Sequence, residues 1–171
     1  MRKFHVSAAL AAVLLSALVA GSALGAGTSA RHRTVLPKKV AFAAAYAGTA
    51  AVKVTDNVAD IQATGKGTGK PLGAGTITGV GKGDTSQQPC VPFTGPGTMV
   101  GAKGAKLAFT VLTGSTGCGD EGGNVFAISG KAKVVKGYGA LKKAKGTLKF
   151  TGTYDRNAGT FTVKFKGTLT A

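Results

Sequence analysis

The run TLKFTGTYDRNAGTFTVKFKGTLT, Thr147 to Thr170, alternates bulky and polar side chains at period two, and that period belongs to strands rather than helices. Leu148, Phe150, Gly152 and Tyr154 fall on one side, with Lys149, Thr151 and Thr153 on the other. Phe161, Val163, Phe165, Gly167 and Leu169 then alternate with threonines and lysines. The connection Asp155 to Gly159 is short and built from turn residues, so the two segments form a hairpin.

The same rhythm begins at Val40. Phe42, Ala44, Tyr46, Gly48, Ala50, Val52 and Val54 share one face, and small or polar residues take the other. This predicts a long strand bent at Gly48. Further strands are expected over Ala59–Gly65, Leu72–Gly81, Gly95–Gly101, Lys106–Thr113 and Val125–Val135, which makes about eight, joined by short Gly-rich loops. A closed antiparallel barrel fits this all-β pattern because closure removes exposed edges and one apolar face per strand fills a small interior. A two-sheet sandwich fits the same pattern. An outer-membrane barrel does not, since the face opposite the apolar one carries Lys and Thr and offers nothing to lipid.

The stretch GKGTGKPLGAGTITGVGKGD, Gly65 to Asp84, has the look of a phosphate-cradling loop. Gly81-Lys82 is followed by Gly83 instead of Ser or Thr, Thr76 stands where the first glycine belongs, and Pro89 and Pro92 break any helix that would follow. What remains is glycine at period two: Gly73, Gly75, Gly79, Gly81 and Gly83 on one strand face, and Gly65, Gly67 and Gly69 on another. Glycine on one face lets a strand coil sharply and lets its neighbours approach, as a tight barrel wall requires.

The chain opens with Arg2 and Lys3, an apolar run from Ala8 to Ala20, and small residues, the order of a secretory signal peptide. Cleavage fits after Ala23 or Gly25, so residues 1–25 are read as the signal and 26–39 as a flexible basic tether. Residues 40–171 are then the folded domain. An apolar core of about 13 residues is shorter than the ~20 a helix needs to span hydrocarbon. In an exported chain Cys90 and Cys118 are expected to form a disulfide. Closing a loop of about 28 residues is worth roughly 3 kcal/mol by chain entropy.

At VVKGYGALKKAKGTLKFTGTYD, Val134 to Asp155, the residue order resembles the signature of the dirigent and allene oxide cyclase barrel group, including its small secreted bacterial members. Val134, Val135, Gly137, Gly139, Ala144 and Gly146 follow the pattern, and Gly159, Thr160, Phe161 and Gly167 continue it, so the likeness covers Val134 to Gly167. Lys136 stands where the group often has a glycine, and Leu141 where it often has an aromatic. The resemblance implies an exported eight-stranded antiparallel barrel, and plant members shape small apolar ligands in the barrel cavity. It carries over no catalytic residue, because the charged pocket residues of dirigent proteins have no counterpart here.

Chemistry is scarce in the expected domain. His5 and His32 lie ahead of it, tryptophan is absent, and only Asp120 and Glu121 are adjacent among its carboxylates, in a Gly-rich loop beside Cys118. Without a histidine base or a nucleophile elbow a hydrolase mechanism has no machinery, and no metal or cofactor is expected. The first reading is a non-enzymatic exported barrel; the alternative, which the resemblance implies, is a barrel that holds or isomerises a small apolar ligand. The aromatic stripe Phe42, Tyr46, Phe109, Phe126, Phe150, Tyr154, Phe161 and Phe165 is either packed core or the lining of a small-ligand cavity, with packed core the first expectation.

Charge is the remaining signal. The net charge of +16 falls to +14 once Arg2 and Lys3 are removed, and most of it is lysine. Lysine makes a diffuse positive field rather than a planar clamp, which points to anionic envelope polymers or lipid headgroups, not to sequence-specific nucleic acid. Candidate anion-binding positions are Lys66, Lys70, Lys82, Lys131, Lys133, Lys164 and Lys166. The same lysines also serve solubility by discouraging edge-to-edge association.

Overall fold

The computed structural model of the chain describes residues 38–170. About three quarters of them lie in strands: β1 (Lys39–Thr55), β2 (Val58–Lys70), β3 (Gly73–Asp84), β4 (Cys90–Val100), β5 (Lys106–Val111), β6 (Thr116–Gly119), β7 (Val125–Tyr138), β8 (Gly146–Asp155) and β9 (Thr160–Thr170). The expected signal peptide and residues 26–37 of the expected tether lie outside the described residues; Lys39, assigned to the tether, is instead the first residue of β1.

The nine strands close into an antiparallel barrel of eight wall positions, one of them shared by two short strands. The order is an up-and-down meander in which each wall strand pairs with its neighbour in sequence, and the ring shuts where β1 meets β9, from Lys39↔Thr170 to Thr49↔Thr160. The sandwich alternative is thereby set aside. Alternation runs the length of β3, where the glycines and Ile77 face inward while Ala74, Thr76, Thr78, Val80 and Lys82 face out; it slips in β7, where a bulge leaves Val135 and Lys136 both exposed. Glycine is required where β1 crosses β2. A methyl on Gly48 would run into the backbone of Thr64 and Gly65, the residue paired with Gly48.

Two expectations need correction. β4 begins at Cys90, not Gly95, because its prolines disguise the strand. The residues around Cys118 belong by sequence to the Gly-rich loop of Asp120 and Glu121, yet Thr116–Gly119 is β6. It pairs with β4 (Cys90↔Cys118) and with β7 (Thr116↔Ser129), in the wall position that β5 occupies nearer the other end. β5 and β6 are thus two halves of one wall strand, interrupted by Leu112–Ser115. Ser115, fully buried, holds the interruption in place: its hydroxyl donates to the Leu112 carbonyl (2.8 Å) and accepts from the Lys131 N–H (3.3 Å). Gly130 faces it, and a methyl there would overlap the serine side chain.

One end of the barrel is a closed floor. Leu72, Met99, Leu107, Leu148 and Leu169 are at most 1% exposed, and Leu141 and Ala144 fold in from the segment between β7 and β8. That segment is part of the stretch carrying the family-like glycines; here it forms the plug of the floor.

Candidate functional site

The other end is open. There the interior holds a cavity of about 600 Å³ lined by aliphatic and aromatic side chains. Its origin is legible in the inward places of the strands. Toward the floor these carry Leu, Met and Phe; toward the mouth, Ala50, Ala59, Ala63, Gly79, Gly81 and Gly117 line the wall and leave the volume unfilled. Ala63 sits between Ala50 and Gly79 in register, so three neighbouring strands present almost no side-chain bulk at one level.

The aromatic stripe divides between the two halves. Phe109, Phe126, Phe150, Tyr154, Phe161 and Phe165 line the cavity. Phe42 and Tyr46 do not; they are buried below it in the packed floor, at 2% and 3% exposure. The first expectation, an interior filled throughout, therefore holds for the floor half alone. Phe165 sits at the junction, 5.6 Å from Phe150, 5.7 Å from Phe109 and 6.5 Å from Tyr46 between ring centroids. Nearer the mouth Phe126 tilts against Tyr154 at 6.2 Å. Such tilted ring pairs contribute stability beyond what area burial provides.

Sequence reasoning missed Phe93, 6.1 Å from Phe150, and the polar rim made by Thr85, Gln88, Thr94 and Arg156. Phe93 was hidden by its Pro-rich surroundings. Arg156 belongs by sequence to a hairpin turn, and only the folded geometry brings that turn to the mouth. The lining contains no Asp, Glu, His, Lys or Cys. The wall is therefore suited to solvating an apolar body, with polar contacts available at the rim.

Charge is segregated along the barrel axis. All six carboxylates belong to the mouth end: Asp56 in the β1–β2 turn, Asp60 near the start of β2, Asp84 at the end of β3, Asp120 and Glu121 before β7, and Asp155 at the end of β8. They are largely occupied with structure. Asp84 accepts from the Ser86 hydroxyl (2.6 Å), the Ser86 N–H (3.0 Å) and the Gln87 amide (3.0 Å), and these bonds, Ser86 first, hold its carboxyl below the ordinary range. Asp120 accepts from the N–H groups of Asn124 and Val125, which shapes the turn into β7. The floor-end connections carry Lys103, Lys142, Lys143 and Lys145 and no acid.

Of the expected anion-binding lysines, Lys82 is instead engaged with Asp60 at 2.7 Å, the one ion pair among the described residues. Lys66, Lys70, Lys131, Lys133, Lys164 and Lys166 are exposed on the outer wall. Cys90 and Cys118 form a disulfide, as expected.

No protein-family model, no curated protein and no solved structure matches this chain.

Proposed function

We propose that the protein is an exported, non-enzymatic barrel that holds a small apolar molecule in the mouth half of its interior. The observation that carries this reading is the half-open apolar cavity of about 600 Å³ between the Phe109–Phe150–Phe165 cluster and the rim. Its volume falls in the range of small-molecule sites, roughly 300–1,000 Å³, and its lining is mainly hydrophobic with a few polar groups at one end. The resemblance to barrels that shape apolar ligands supports the same reading. A lining without carboxylate, imidazole or ammonium favours holding over acid–base turnover.

A neutral fluorescent probe such as N-phenylnaphthylamine tests it. Binding is expected to be saturable, one per chain, and unchanged by salt, because no charge is involved. Ala63→Phe places a ring at the level where small residues leave the volume open and is expected to abolish binding; Ile128→Trp fills the opposite wall and serves if the first variant fails to fold. Absence of saturable binding, or binding indifferent to both substitutions, would overturn the proposal.

A further inference from the structure

A second surface is independent of the cavity and lies on the outside of the wall. The outward places of β1 between Lys39 and Lys53 are Ala41, Ala43, Ala45, Ala47, Thr49 and Ala51. A row of exposed alanines is unusual on a strand, where β-branched or long polar side chains pack better on a half-exposed surface. Its neighbours are the reverse of small. On one side β2 sets Lys70 opposite Ala43, Thr68 opposite Ala45 and Lys66 opposite Ala47. On the other, β9 sets Lys166 opposite Ala43, Lys164 opposite Ala45 and Thr162 opposite Ala47.

The result is a trough floored by methyl groups and walled by lysines from both flanking strands. Two strand spacings make it about 9–10 Å wide between backbones. Lys66 and Lys70, four residues apart, are separated by roughly 13 Å along it. The row through Lys166 continues around the barrel, with Lys149 directly opposite Lys166 and Lys131 directly opposite Lys149. Like charges facing one another across strands are destabilising. None of these lysines has a carboxylate partner, since the single ion pair among the described residues is Lys82–Asp60. The arrangement is costly in the isolated protein, and an anion lying among the lysines would relieve it.

We infer that this trough binds a linear polyanion with phosphodiester charges in its backbone and no bulky base or ring, laid along β1. The alanine floor admits one extended chain at van der Waals contact, and ammonium groups on both sides reach successive phosphates as point charges. A bilayer is less well served. Amphipathic elements that lie in membranes present large apolar side chains between their cations, and here the cations alternate with Ala and Thr. Single-stranded nucleic acid is disfavoured because sequence-tolerant strand binding stacks bases on exposed aromatic rings, and the trough has none.

The test uses a short poly(glycerol phosphate) oligomer, titrated into the full folded domain over a range of salt. About four phosphates neutralised at ~0.7 each give an expected slope of log K on log salt near −3. The variant K66Q/K70Q/K164Q/K166Q is expected to lose at least about tenfold in affinity and most of that slope. The comparison variant K103Q/K142Q/K143Q/K145Q removes the same net charge from the floor-end connections and is expected to lose less than about threefold. Ala45→Glu puts a carboxylate on the trough floor without removing any lysine and is expected to weaken binding as much as the fourfold change. Equal losses from the two lysine variants would reduce the site to a diffuse field and overturn the proposal. Equal or tighter binding of oligothymidylate, or of vesicles containing phosphatidylglycerol, would overturn it in favour of nucleic acid or membrane.

Discussion

Tyr46 is a large polar residue that the barrel has buried without giving its hydroxyl a hydrogen-bond partner among the described residues. Its ring packs edge-on to Phe165, below the cavity, so the aromatic body is used and the oxygen is not. A buried hydroxyl without a partner carries the cost of its lost hydration, and Tyr46→Phe is expected to raise stability by about 1 kcal/mol, read from chemical denaturation. A lower midpoint in the variant would show that the oxygen is bonded. Burial also pushes the Tyr46 pKa up. The neutral phenol is the form the fold accepts, so its contribution is intact below the ordinary tyrosine pKa of about 10 and is lost as the pH rises through the higher folded value. The stability of the parent is therefore expected to fall more steeply above about pH 10 than that of Tyr46→Phe. Parallel pH curves would contradict this.

At the scale of elements, β6 is the shortest part of the wall: a strand of four residues standing in for the missing half of β5 at the mouth. It is tied to β4 through the Cys90–Cys118 bond, which joins directly opposed residues, and to β7 through its ladder. Replacing both cysteines with alanine is expected to cost about 3 kcal/mol for a loop of this length. The loss should also appear as faster hydrogen exchange in β6 and the start of β4, ahead of β1 and β9. Uniform exchange in the variant would mean that the ladder alone holds the strand. Elements with bulky alternation, β1, β8 and β9 above all, were legible in the sequence because each residue declares its face. β6 was not, since Thr-Gly-Cys-Gly has no bulk to alternate, and β4 was masked by Pro92 and Pro96. The site was legible in its aromatic members and illegible in its emptiness. A cavity arises where small residues from separate strands come level, as Ala50, Ala63 and Gly79 do, and that depends on register, which no single segment contains.

For the molecule as a whole, a net charge of +16 with carboxylates confined to one end leaves a wall of facing lysines that repel. Screening should relieve them, so the melting temperature is expected to rise by a few degrees as sodium chloride is brought from low concentration to about 0.5 M. A fall would mean that Lys82–Asp60 and the mouth carboxylates dominate over the repulsion. Mouth and trough also differ in direction, one opening along the barrel axis and the other running along the outer wall, so an occupant of one leaves the other accessible. The meander has a further result for how the chain is made. Every wall contact joins neighbours in sequence except the last, in which β1, from Lys39, waits for β9, ending at Thr170. During synthesis the growing sheet can assemble hairpin by hairpin, yet it stays an open ribbon with two bare edges until the final strand is complete. The ring therefore shuts only when the whole domain is available, and a chain ending before β9 has no barrel to fold into.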